Sequence, residues 1–315
     1  MQKQTDPLDS IFEKAISGAS LFTNRQALRT DFIPQNLPYR DEQITSIGQI
    51  LSPILQDSKP SNLLLYGKTG SGKTVVAKYV LQKFDETTKK HSKSISVAYS
   101  NARLAGSEYR VLVDLAHSLS MEMPFTGLPI SEVLQRIYNN ISDNNLKVIF
   151  IIDEIDYLAK HAKTSNDDML YSLTRSSEHL KNGFISIIGI SNDLHFKNFL
   201  DPRVLSSMNE EEILFPPYTV TQLSDILNKR IESAFKTKSV PSGTINLCAA
   251  LAGSEHGDAR RAIELLRVAG ELAERSDEKT VIEKYVKDAS QKIDKDRIYQ
   301  AIKPLPIHEK AVLLA

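Results

Sequence analysis

The chain has 315 residues, 41% hydrophobic and 25% charged, with 13 Gly and 13 Pro; this globular composition excludes a disordered, collagen-like or low-complexity polymer and suggests about two domains of roughly 150 residues. Thirty-nine Lys+Arg balance 39 Asp+Glu, so no global field draws the chain to nucleic acid or an anionic membrane, and any DNA contact has to be a local patch. A single cysteine, Cys248, excludes an internal disulfide or thiolate zinc site, and the seven His show no His-Glu-x-x-His spacing.

The N-terminal residues mix Asp6, Asp9, Glu13 and Lys14 among short apolar stretches, which is not the pattern of a signal peptide. No apolar run approaches the ~18 residues of a membrane span. A soluble, cytoplasmic protein with no membrane partner is expected. From residue 62 to 215, short apolar β-type runs at 62–66, 95–100, 147–152, 185–190 and 213–215 alternate with helical patterns. This rhythm predicts an α/β fold, a five-stranded parallel sheet flanked by helices. Runs 148–152 and 185–190 are apolar at every position but Ser186 and Gly189, as central strands buried on both faces require. Beyond Pro216-Pro217 only helical spacing continues, as in Leu223, Ile226, Leu227 and Ile231, so a small all-α domain follows the sheet. Within it Asp258 is the expected N-cap of a helix. Residues 307–315 begin a new amphipathic pattern and stop at an apolar end, from which a further, missing C-terminal domain is expected.

Gly67-Lys68-Thr69-Gly70-Ser71-Gly72-Lys73-Thr74 satisfies G-x-x-x-x-G-K-[ST] between a predicted strand and a predicted helix. Glycines let backbone N–H groups turn inward around phosphates, and the helix N-terminus adds partial positive charge. Lys73 is expected on the β- and γ-phosphates of ATP and Thr74 on Mg²⁺. Strand 148–152 runs into Asp153-Glu154, at the sheet edge where ligands bind. Asp153 is expected in the Mg²⁺ shell and Glu154 as the base that polarises the attacking water; a capping role for Glu154 and Asp156 in an acidic helix start is the plainer alternative. The third strand ends in Ser191-Asn192, and the Asn192 amide can orient that water. Three arginines are candidates: Arg203 toward a neighbouring subunit's γ-phosphate, Arg260 toward the γ-phosphate in cis with Arg261 as its solvated partner, and Arg230 at the base pocket.

On these residues the chain resembles the AAA+ initiators of archaeal origin recognition, related to eukaryotic origin-recognition and cell-division-control loading factors. Phe22-Thr23-Asn24-Arg25, Phe32-Ile33-Pro34 and Leu37-Pro38-Tyr39-Arg40-Asp41-Glu42-Gln43 resemble the segment that precedes the phosphate loop in these initiators and lies near the adenine, with Tyr39 in place of a more usual His; the likeness places Arg40 in the nucleotide site. Gly67 to Thr74 and Ile151 to Leu158 match the family's nucleotide motifs, Asn192 its first sensor and Arg203 its trans arginine. Phe215-Pro216-Pro217-Tyr218 with Arg230 resembles the adenine-side contacts of the lid, and Gly257-Asp258-Ala259-Arg260 the second sensor. The stretch from Tyr109 to Leu128 resembles the initiator-specific helical insertion, which touches DNA in the family. Over the insertion near 103–140 the basic residues are few, Arg103, Arg110 and Arg136, and a packed helical hairpin is the plainer alternative.

The resemblance implies an AAA+ domain over 1–217 with an insertion near 103–140, a helical lid over 218–298 and the start of a truncated winged-helix domain over 299–315. It also implies a slow ATPase using ATP/ADP and Mg²⁺, with double-stranded origin DNA, the replicative helicase and other initiator subunits as partners. A regulatory or clamp-loader-like NTPase that controls protein assembly without specific DNA binding is the competing reading.

Overall fold

Strands that are apolar at successive positions need cover on both faces, and the sheet supplies it. The computed structural model describes residues 8, 12, 20–91, 95–161, 168–208, 210–306 and 308–310. Its five strands are β1 (Asn62–Tyr66), β2 (Ser96–Asn101), β3 (Lys147–Asp153), β4 (Phe184–Ser191) and β5 (Glu210–Leu214), all parallel in the order β2-β3-β4-β1-β5. Along β3, Val148, Phe150 and Ile152 enter one core with the helices Glu108–Ser118 and Ile130–Asp143. Ile149 and Ile151 enter the other, with the helices Asp41–Leu51 and Lys73–Lys90. The period-two alternation therefore divides one strand between two cores. Register aligns the carboxyl ends: Tyr66 pairs with Ser191 and with Leu214, Asp153 with Ile190, and Asn101 with Asp153.

The chain divides into two compact units, Gln35–Pro217 and a second that joins the residues up to Pro34 to those from Tyr218 onward. Between β2 and β3 of the first unit, the helices Ala102–Ala105, Glu108–Ser118 and Ile130–Asp143 bury Val111, Leu112, Leu115, Val133, Leu134 and Ile137 in the shared core. The expected insertion is thus packed helical structure. Strand β5 is longer at its start than the 213–215 run, because Glu210, Glu211 and Glu212 hide it from an apolar pattern. It pairs only with β1, and Lys197 forms ion pairs with Glu210 and Glu212. Carboxylates along a sheet edge discourage pairing with another chain.

The second unit consists of the helices Val220–Ala234, Ser242–Ser254, Ala259–Arg275 and Glu283–Ile302 around Leu223, Leu227, Cys248, Leu265, Leu266 and Val286. Thr219 and Gln222 form a capping box at the first, and Asp258 accepts from the N–H groups of Arg260 and Arg261 at the third. The N-terminal segment belongs here rather than with the sheet. Thr23 N donates to Ala234 O at 2.8 Å, Lys236 N to Leu21 O at 3.0 Å, and the Phe22 ring lies 4.6 Å from that of Phe235. Gly270 makes the room: a Cβ there would come within 2.6 Å of Phe22 Cζ. The expected start of a further domain at residue 299 falls inside the helix Glu283–Ile302, and residues 307 and 311–315 lie outside the described residues. Among the described residues no helix is long and apolar enough to cross a membrane.

Phe150 is fully buried at the middle of β3, between β2 and β4. Phe150→Ala should destabilise the sheet unit by about 3–5 kcal/mol, read as a lowered midpoint in urea unfolding.

Candidate functional site

The phosphate loop leaves β1 at Gly67 and enters the helix Lys73–Lys90 at Gly72, with Gly70 and Gly72 in left-handed backbone (φ 75° and 94°). Any side chain at Gly67 would collide with the Phe215 carbonyl, 2.4 Å from its Cβ position. Lys68 and Thr69 are exposed at the loop tip, whereas Lys73 is 4% exposed, its ammonium donating to Gly67 O at 2.6 Å and Lys68 O at 2.9 Å. The Ser71 hydroxyl is buried with no hydrogen-bond partner among the described residues. A buried hydroxyl of that kind suits a ligand oxygen. The first N–H groups of the helix lack intrahelical partners by construction, so the loop is a ready anion cradle.

Arg40 clamps this loop from behind. It is 2% exposed, and its guanidinium donates to Ser71 O at 3.0 Å, Tyr39 O at 3.0 Å and Pro216 O at 2.7 Å, above the Phe215 ring. The resemblance places Arg40 at the nucleotide; here its donors hold backbone carbonyls, tying the phosphate loop to the exit of β5.

At the end of β3, Asp153 is 6% exposed. Its Oδ2 accepts from Thr74 Oγ1 and from Tyr99 OH, both at 3.0 Å, and its Oδ1 from Glu154 N at 3.0 Å. Burial, then the adjacent Asp153 charge, raises the Tyr99 pKa, so the phenol stays a donor. Thr74 and Asp153 thus present two adjacent oxygen donors of the kind Mg²⁺ takes. Glu154 has left-handed backbone (φ 53°), uncommon for a residue with a Cβ. Its carboxylate accepts from Asn101 Nδ2 at 3.3 Å and pairs with Arg103 at 3.6 Å. Ile155 N donates to Ile190 O at 3.0 Å, and Asn192 N to Asp156 Oδ1 at 3.2 Å. The exposed Asn192 is thereby held beside the turn that carries Glu154.

Arg203 lies on the helix Pro202–Met208, more than half exposed, both faces of its fork on Asp201 (3.0 and 2.9 Å) and its cation over Tyr171. The pairing holds the Asp201 carboxyl below its ordinary pKa. Arg230, Tyr218 and Arg260 belong to the other unit. Arg230 is buried and donates to Ala27 O at 3.0 Å with its cation over Phe32, burial lowering its pKa; it fastens the N-terminal segment. Tyr218 is buried in the helical core. Arg260 is exposed on the first turn of its helix. Arg261, expected to be solvated, is instead 1% exposed, donating to Glu255 at 3.3 Å and Asp294 at 2.5 Å. The correction follows from helical spacing: Arg261 shares the face of Leu265 and Ala269.

Sequence reasoning missed Tyr99 and Asn101, and read Arg103 only as a basic residue of the insertion, not as the partner of Glu154. Tyr99 and Asn101 alternate on β2 opposite Ile151 and Asp153, a signal available only once the register is known.

The model of the AAA domain matches residues 56–195, and that of the Cdc6 AAA+ ATPase-type lid domain residues 224–291. Over 321 residues the chain is 47% identical to the ORC1-type DNA replication protein of Cenarchaeum symbiosum, covering 100% of this chain and 78% of that protein. The chain belongs to the ORC1-type DNA replication proteins. The ORC1-type protein of Pyrococcus horikoshii is 46% identical over 98% of this chain and 74% of its own. The structure of the Aeropyrum pernix ORC1 protein in complex with DNA superposes with a TM-score of 0.87 at 42% identity, over 94% of this chain and 76% of that one. This ORC1-type chain therefore has the AAA+ fold, a parallel sheet flanked by helices with an all-helical lid.

Lys73→Ala removes the one cation that the loop carries inside its cradle. Isothermal titration should show ATP affinity falling at least tenfold; unchanged affinity removes the site as assigned.

Proposed function

We propose that the protein is an ATP-dependent replication initiator that binds double-stranded origin DNA and helps to load the replicative helicase, with slow ATP hydrolysis as its switch. The observation that carries the hydrolytic part is the Thr74–Asp153 hydrogen bond of 3.0 Å beside Glu154. It joins the end of the phosphate loop to the end of β3, and it is the arrangement an ATP-Mg²⁺ site needs.

In this reading Gly67 to Thr74 bind the phosphates, with Lys73 balancing charge on the β- and γ-groups. Thr74 and Asp153 hold Mg²⁺, which when bound neutralises charge on the phosphate oxygens. Tyr99, donating to Asp153, fixes that carboxylate's direction. Glu154 takes a proton from the attacking water, and Asn192 orients the same water. Arg203 reaches the γ-phosphate of a neighbouring initiator subunit once it exchanges Asp201 for phosphate. The complex of the Aeropyrum pernix ORC1 protein with DNA supports the DNA partner, and family membership supports the helicase, other initiator subunits and a cytoplasmic, nucleoid-associated location.

Glu154→Gln should leave ATP binding intact and slow single-turnover hydrolysis by roughly 10²- to 10⁴-fold, the range for a positioned base; equal rates rule Glu154 out. For the DNA role, chromatin immunoprecipitation of the tagged protein from its own locus should give a few sharp peaks. Flat enrichment with ATP binding intact would favour a regulatory NTPase.

A further inference from the structure

Within the sheet unit, the helix that begins two residues after Glu154 grips the turn that carries Asn192. Asp156, its side chain 15% exposed, opens the helix Asp156–His161, and its Oδ1 accepts from Asn192 N at 3.2 Å. The Ser191 hydroxyl shares its proton between the same Oδ1, at 3.2 Å, and Asp193 O, at 2.8 Å, and accepts from Asp193 N at 3.0 Å. Lys160, one helical turn further on, pairs with Asp193 at 2.6 Å and lies 4.0 Å from Asp156 Oδ2. With Ile155 N on Ile190 O at 3.0 Å, links at successive residues join the end of β3 to the end of β4.

The strand ladder ends at Ser191, opposite Tyr66, so the N–H of Asn192 needs an acceptor from elsewhere, and a carboxylate makes the stronger, charge-assisted bond. The acidic helix start, read from the sequence as a cap, thus spends Asp156 on a neighbouring turn. The bond between Lys160 and Asp193 raises the lysine pKa and lowers that of the carboxyl, so both keep their charges at neutral pH. Ion pairs this exposed add little stability; this one closes the turn against the helix. Glu154 and Asn192 are thereby held to one short helix, and a shift of either by about 1 Å is enough to cost a reaction a large factor in rate.

We propose that Asp156 is a positioning residue for hydrolysis: by accepting from Asn192 N and Ser191 Oγ it sets the place of the Asn192 amide relative to Glu154, so that both meet the same water. The proposal rests on the reading of Glu154 and Asn192 as the groups that handle the attacking water, and the two fail separately.

The test is single-turnover ATP hydrolysis by the full chain, with ATP affinity measured in parallel by calorimetry. Asp156→Ala should slow hydrolysis by roughly ten- to a hundredfold while affinity stays within about twofold. Asp156→Asn keeps an oxygen for the two donors and should restore the rate to within about threefold of wild type. The deciding measurement is the double-mutant cycle: in an Asn192→Ala background, with no amide left to place, Asp156→Ala should change the rate by less than about twofold. If Asp156→Ala does not fold, Asp156→Glu, which displaces the acceptor by one methylene, takes its place in the same cycle with the same expectation. Equal slowing in both backgrounds, a wild-type rate in the folded Asp156 variant, or an Asp156→Asn as slow as Asp156→Ala overturns the positioning role. A wild-type rate in Asn192→Ala alone overturns the reading of Asn192 beneath it, whereas a slow Asn192→Ala beside an unaffected Asp156→Ala removes Asp156 and leaves Asn192 in place.

Discussion

A parallel sheet covered on both faces has one outlet for polar chemistry, the edge where its strands end. Everything at this site depends on that constraint. The core claims the side chains of β1, β3 and β4 along their length, so Gly67, Asp153 and Asn192 gather at the first positions the core releases. Register makes the gathering close. Because Asn101 is opposite Asp153 and Tyr66 opposite Ser191, the loop, the carboxylates and the following turns come into hydrogen-bond range without any long connection to bring them there.

The second constraint is electrostatic. Arg40, Arg230 and Arg261 are all buried, and each fastens pieces of chain that the sheet or the helix bundle would leave loose. Arg40 does so with three carbonyls, Arg230 with a carbonyl and an aromatic face, Arg261 with two carboxylates. The guanidinium suits this work because it keeps its charge, carries several donors in one plane and is weakly hydrated. Arg203 and Arg260, by contrast, are exposed.

The architecture was readable in the sequence because its signals are local. An unbroken aliphatic run such as 148–152 announces a buried strand, and Gly67 to Thr74 announces a phosphate loop by spacing alone. What was hidden depends on pairing across distance. Three consecutive glutamates look nothing like a strand until Lys197 and the open edge of β1 are set beside them. Tyr99 and Asn101 are ordinary β2 residues until the register puts them against β3. The N-terminal segment reads as a prelude to the sheet, and only the notch at Gly270 shows where Phe22 goes. Arg261 is the exception, since its spacing to Leu265 and Ala269 carried the answer and the charge obscured it.

The backbone at Glu154 bears on how this protein can change. A left-handed conformation costs a residue with a Cβ about 1–2 kcal/mol, and Gly or Asn would relax it. Selection for thermal endurance alone would therefore drift toward those residues at position 154 and away from a carboxylate. With Glu154 as the base proposed above, durability and turnover pull in opposite directions at this one dihedral angle. On that proposal, lineages that do not rely on hydrolysis would be the ones free to take the more comfortable residue.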